Sequence, residues 1–183
     1  MHIFKAKWIV LRVLSKNEKD FLYSIFFEEY WKLIISYKRK AKEKMLDIGN
    51  IFSGEISTQE GRKIHNLRNI KIKSFFHPKE KSFEEINLYL EILSLVEKKL
   101  IEGNPVPEIF SLLEILGEKS EKLTYEKLLL TRLKIMDIFW ELRTHDENEV
   151  VEKILKFIHH YGIKDILKLK WLEEETVEKL KKI

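Results

Sequence analysis

Apolar and polar positions follow one rhythm up to about residue 76 and another beyond it. FKAKWIVLRVL (4–14) opens with Lys5 and Lys7 alternating with Phe4, Ala6 and Trp8, the period of two expected of a strand. After Trp8 both faces turn apolar. FLYSIFF (21–27), WKLIISYKRKAK (31–42), NIFSGEIS (50–57) and IHNLRNIKIKSFF (64–76) read as four further strands. In the last of these, Ile70 and Ile72 fall on one face and Lys71 and Lys73 on the other. Gly54 marks a bulge or bend in the fourth. SKNEKD (15–20), DIGN (47–50) and TQEG (58–61) are turn-like separators. Five short strands in so short a span predict a small barrel or sandwich, and the OB architecture suits that size.

The rhythm changes at HPKEKS (77–82). Pro78 stops the fifth strand, and Ser82-Phe83-Glu84-Glu85 has the form of a capping box. Ile86, Tyr89, Leu90, Leu93 and Leu100 then recur at helical spacing. Asn104-Pro105-Val106-Pro107 starts a second helix over 107–116, which Gly117 is expected to end. A third spans 122–142, with Leu129, Leu133, Met136 and Trp140 on one stripe. A fourth spans 147–161 on Val151, Ile154, Leu155 and Ile158, closed by Gly162, and one or two short helices finish the chain. Each helix has one apolar face to bury, which predicts a bundle. The expected class is α+β in two domains: an OB-like barrel over 1–78 and an all-α domain over 79–183.

Composition sharpens this picture. With 44% hydrophobic residues among 183, the chain is long enough to bury a core. No apolar run approaches the ~18 residues of a membrane span, and the lysine-broken N-terminus reads as a strand, not a signal peptide. No cysteine is present, so disulfides and cysteine-held zinc are excluded. The Lys/Glu-rich charged fraction of 35% fits the cytoplasmic protein of a thermophile. The net charge of +4 hides an asymmetry: residues 1–80 hold 17 Lys/Arg against 9 Asp/Glu, and the remainder 17 against 21. A basic half joined to an acidic half is a pattern of polyanion-binding modules.

No constellation for covalent chemistry is found. Phosphate-loop, dinucleotide, nucleophile-elbow and zinc-protease motifs are all missing from the sequence. The adjacent His159 and His160 point about 100° apart on a helix and suit its C-terminal end better than a shared metal. His145-Asp146 falls in a polar turn, and Glu84-Glu85 and Glu173–Glu175 fall in first helical turns. The expected protein is not an enzyme and carries no cofactor or metal.

The candidate chemistry is electrostatic. ISYKRKAKEK (35–44) holds Lys38, Arg39, Lys40, Lys42 and Lys44 against one acid, Glu43. On a strand, Ser36, Lys38, Lys40 and Lys42 share a face, and Leu33, Ile35, Tyr37 and Arg39 share the other. Such lysines repeat every ~6.6–6.8 Å, close to the repeat of phosphates along an extended single strand. Arg68, Lys71 and Lys73 form a second line, with Arg62 and Lys63 nearby in sequence. Trp8, Tyr30, Trp31, Tyr37, Phe75 and Phe76 are interleaved and could stack on bases for ~1–3 kcal/mol each. The bland alternative is that these aromatics fill the core and the lysines protect a sheet edge.

The order of these features resembles the RecO family of recombination mediators. WIVLRVLSKNEKDFLYSIF (8–26) is similar to that family's opening hairpin, and WKLIISYKRKAK to its third strand and basic segment. FEEINLYLEILSLVEKKLIEGNPVPEIFSLLEILGE (83–118) and ILKFIHHYGIKDILKLKWLEEETVEKL (154–180) resemble its helical part. Many members carry a four-cysteine zinc module, where this chain has only LRTHDENEV (142–150). The resemblance implies binding of single- and double-stranded DNA, strand annealing, and help in loading RecA. Implied partners are RecR and the acidic tail of single-stranded DNA-binding protein, for which Arg132 and Arg143 are candidates. The competing reading is a helical protein-interaction adaptor without DNA binding.

Overall fold

The structure is a computed structural model of the chain and describes residues 2–17, 20–28, 32–39, 46–58, 63–101, 106–169 and 172–183. Among these residues it is α+β, with five strands and six α-helices. The strands are β1 (His2–Lys16), β2 (Asp20–Phe27), β3 (Lys32–Lys38), β4 (Ile51–Thr58) and β5 (Ile64–Ser74). The helices are α1 (Phe83–Lys99), α2 (Pro107–Glu118), α3 (Tyr125–Ile138), α4 (Glu149–His160), α5 (Ile163–Ile166) and α6 (Glu174–Leu180). Compact packing groups Met1–His77 with Leu93–Glu121, and Pro78–Ile92 with Lys122–Ile183. The sheet unit thus takes in residues beyond the expected boundary at 78, and α1 contributes to both units.

In the sheet unit, β1 pairs antiparallel with β2 and β4, β2 with β3, and β4 with β5, while β3 and β5 pair in parallel. Every strand has two neighbours, so the sheet closes in the order β1-β2-β3-β5-β4. Trp8, Tyr23, Ile25, Phe27, Ile35, Phe52 and Ile56 fill the interior.

The apolar switch after Trp8 has a simple cause. Ile9 is the cross-strand partner of both Phe26 and Ile51, so the three form a row pointing away from the interior. That row is buried because α2 covers it. The ring of Phe110 meets Phe26 edge-on, with centroids 5.5 Å apart. Gly117 lets the helix come close: a Cβ there would stand 3.1 Å from Ile51 Cδ1 and 2.9 Å from Ser74 Oγ. Gly117 is therefore a contact residue inside α2 and not the expected helix stop.

In the helical unit, α3 packs against α4 and α5, and α4 against α6. Leu129, Leu133, Val151, Leu155, Ile158, Ile166 and Leu180 are buried there. The expected capping box forms: Glu85 N–H donates to Ser82 Oγ at 3.2 Å, and Ser82 N–H to Glu85 Oε2 at 2.9 Å. Asn148 Oδ1 caps α4 by accepting from Val151 N–H at 3.1 Å. Two stripe assignments fail, since Leu90 is exposed and Trp140 is 90% exposed.

Trp140 also explains why α3 is shorter than expected. Glu141 N–H donates to Met136 C=O, and Trp140 N–H to Asp137 C=O, the pairing of a Schellman stop. Trp140 takes the left-handed position of that motif, with φ 61°, where glycine is the favoured residue. A left-handed non-glycine residue costs ~1–2 kcal/mol, and glycine loses part of that gain through its freer unfolded chain. Trp140→Gly is expected to stabilise the protein by about 0.5–1 kcal/mol, read as a higher urea midpoint at unchanged m-value.

Candidate nucleic-acid interface

The basic segment begins where β3 ends. Along β3 the side chains of Leu33, Ile35 and Tyr37 are buried, while Ile34 and Lys38 are exposed, so the expected alternation holds up to Lys38. Lys38 is paired in register with Asp20 of β2. The Arg39 guanidinium lies 5.7 Å from the centroid of the Phe21 ring, a cation–π contact. Phe21 is itself buried and stacked on Tyr23, so Arg39 stands on a fixed base. Lys40, Lys42 and Lys44 lie outside the described residues, as do Arg62, Tyr30 and Trp31.

Arg68, Lys71 and Lys73 lie on β5 and are all exposed. Arg68 and Lys71 are three apart, which on a regular strand puts them on opposite faces. The register resolves this. Arg68 pairs with Glu55 and Lys71 with Ser53, so Asn69 and Ile70 together oppose Gly54. This is a β-bulge, and its extra residue restores Lys71 to the outer face. Asn69 takes the left-handed conformation it requires, φ 52°, which asparagine tolerates better than most residues. A Cβ on Gly54 would come within 2.8 Å of both Arg68 O and the Trp8 ring, so glycine is needed opposite the bulge. Ile72 is 43% exposed although its cross-strand partner Phe52 is buried.

Across the sheet, β1 adds two cations that the sequence reading did not assign to a site. Lys5 pairs with Glu55, which also pairs with Arg68, and Lys7 pairs with Ser53, which also pairs with Lys71. The outer face therefore carries the rows Lys5–Glu55–Arg68 and Lys7–Ser53–Lys71. Glu55 Oε2 accepts from Asn69 Nδ2 at 2.9 Å. Lys7 Nζ donates to Glu114 of α2 at 2.8 Å and lies 3.4 Å from Glu28. The hydrogen bond to Glu114 raises the Lys7 pKa above its ordinary value against the opposing effect of burial.

Of the aromatic residues interleaved with these cations, Trp8, Tyr37 and Phe76 are buried in the core. Phe75 is exposed, with its ring 4.1 Å from that of His77. The core alternative thus accounts for three of the four described rings.

No protein-family model matches this chain, and no curated protein matches it in sequence.

In the helical unit, Arg143 lines a cavity of about 350 Å3 with Met136, Leu155, Ile183, His145 and the acids Glu141 and Asp146. Arg132 lies on α3, half-buried and away from that lining. The histidines have ordinary partners: His159 Nδ1 lies 2.7 Å from Asp137 Oδ1, and His145 Nδ1 2.9 Å from Glu152 Oε1. No group of three or more metal-ligating His, Cys, Asp or Glu occurs among the described residues, and no helix among them is long and apolar enough to cross a membrane.

Proposed function

We propose that this chain is a non-enzymatic DNA-binding protein of the RecO kind, an OB-type barrel joined to a helical domain. On this reading it binds single- and double-stranded DNA, anneals complementary strands and assists RecA loading in recombinational repair. One observation carries it: a small closed sheet in the order β1-β2-β3-β5-β4 carries exposed cations, Lys38, Arg68, Lys71 and Lys73, on its outside. Proteins of the OB fold bind oligonucleotides on the face of strands 2 and 3 and on the loops between strands 1 and 2 and between 4 and 5. Lys38 lies at the end of β3 beside β2, and Lys63 is exposed in the β4–β5 loop. Lys38 to Lys44 grip the backbone of one strand in this account, and Arg68, Lys71 and Lys73 are a second line of DNA-binding cations apart from that grip. Annealing follows without covalent chemistry, because neutralising the phosphates of two strands lowers their repulsion. Arg143 at its cavity, and Arg132, are the proposed contacts for an acidic protein tail, and RecR is a second proposed partner.

One observation favours the adaptor reading. Ile34 and Ile64, paired across β3 and β5, are both exposed, at 38% and 45%, and would suit a protein partner. Annealing of complementary oligonucleotides separates the two. The DNA-binding account expects the protein to speed annealing by about tenfold or more at low salt, with the gain shrinking as salt rises. The adaptor account expects the spontaneous rate at every salt concentration.

A further inference from the structure

The outer face of the sheet holds a second cationic surface, distinct from the cluster at Lys38. It is an open trough of about 580 Å3, with Lys5 and Lys7 of β1 on one wall and Lys71 and Lys73 of β5 on the other. Between them lies β4, with Ser53 and Gly54 as a floor of small residues. Lys38 does not line this trough, whose floor β4 is separated from β3 by the intervening strand β5.

The charges facing the trough are not equivalent. Glu28 and Glu55 also line it, and Lys7 is engaged by Glu114 and Glu28. Lys5, Lys71 and Lys73 make no ion pair among the described residues, so three cations are available to a ligand. Two cations two residues apart repeat at ~6.6–6.8 Å on a regular strand; Lys5 and Lys7 stand so on β1, and Lys71 and Lys73 face them across β4, with a register shift falling at Lys73. Repeated charge along two walls suits a chain of phosphates better than one small anion. Among the described residues no aromatic ring lines the trough, so the cations there suit the phosphate backbone. The bulge at Asn69–Ile70 supports a built feature: it is what brings Lys71 to the outer face, and bulges recur where a strand must re-aim a side chain.

We propose that this trough binds the phosphate backbone of a second single strand of nucleic acid while the Lys38–Lys44 segment holds the first. The inference rests on the DNA-binding reading and adds to it how one chain brings two strands together. Glu55 then acts as a brake, a fixed negative charge beside the second strand.

The test uses the full chain with two non-complementary oligothymidylates, one carrying a donor dye and one an acceptor. Energy transfer reports both strands on one protein, and sedimentation gives the strands bound per chain. The wild type is expected to bind two strands. Lys5→Gln/Lys71→Gln/Lys73→Gln should bind one and lose the energy transfer, while arginine at the same three positions should keep it. Glu55→Gln removes a unit charge close to the phosphates and should tighten capture of the second strand about fivefold at low salt. Circular dichroism and thermal melting check that each variant is folded. One strand per wild-type chain, or two on the folded glutamine variant, overturns the proposal. A wild type that binds no oligonucleotide overturns the DNA-binding reading as well, and the first-strand signal tells these failures apart.

Discussion

Phe26→Ala is expected to cost the protein about 3–5 kcal/mol, the range for truncating a buried phenylalanine. Phe26 is 1% exposed, pairs with Ile9 across β1 and β2, and meets Phe110 of α2 edge-on. Truncation therefore removes the central ring of the contact between the sheet and α2 and leaves a cavity that rigid strands cannot close. Single domains are stable by ~5–15 kcal/mol, so the loss is a large share of the total. Guanidinium denaturation followed by far-ultraviolet circular dichroism checks it. A cost below about 1 kcal/mol would mean that α2 does not cover the row Phe26–Ile9–Ile51.

The second large effect is at Asp137. Its side chain is 10% exposed and that of Lys134 13%, and the two lie 2.8 Å apart. Lys134 Nζ also donates to Ile158 C=O at 2.8 Å, so it ties α3 to the C-terminal end of α4. His159 closes the group with its contact to Asp137. Burial pushes the Asp137 pKa up, but the hydrogen bonds from Lys134 and His159 outweigh it and hold the carboxyl below its ordinary 3.8. Asp137→Ala leaves Lys134 nearly buried without its carboxylate, and breaking such a pair costs about 3–5 kcal/mol. The pH dependence has a definite sign. A depressed folded pKa stabilises the protein above the unfolded carboxylate pKa, and that gain is lost as pH falls through the folded value. The difference between wild type and Asp137→Ala should be full at neutral pH and shrink below about pH 4. A difference independent of pH from 7 to 3 would contradict this assignment of charge.

Much of the fold was legible in the residues. Apolar and aromatic runs set between turn residues located all five strands, and Ser82 and Glu85 announced the cap they form. Pattern failed where burial depends on a distant element. Ile9 and Phe26 point outward yet are buried, which follows only from α2 lying over them. Leu90 and Trp140 are apolar at helical spacing and yet exposed, since periodicity says which residues share a stripe but not how wide the covered stripe is.

The candidate site divides in the same way. Lys38 and Arg39 could be read from local charge density. Lys5 and Lys7 could not be joined to Lys71 and Lys73, because that juxtaposition comes from β1–β4 and β4–β5 pairing between segments far apart in sequence. The bulge left one faint signal, the asparagine at 69 opposite Gly54, in a strand that otherwise reads as regular.

We propose that the Lys38–Lys44 segment grips nucleic-acid phosphates. Binding of a single-stranded oligonucleotide across a salt series, for wild type beside Lys38→Ala/Arg39→Ala/Lys40→Ala/Lys42→Ala, tests it most directly. Neutralising about four phosphates, with release of their counterions, predicts a log–log slope near −3, from roughly −0.7 per phosphate. The account predicts that slope, or a steeper one, for the wild type and a loss of about 3 from it in the variant. Weak binding with the same slope in both proteins would contradict it and leave the basic segment as a solvated edge.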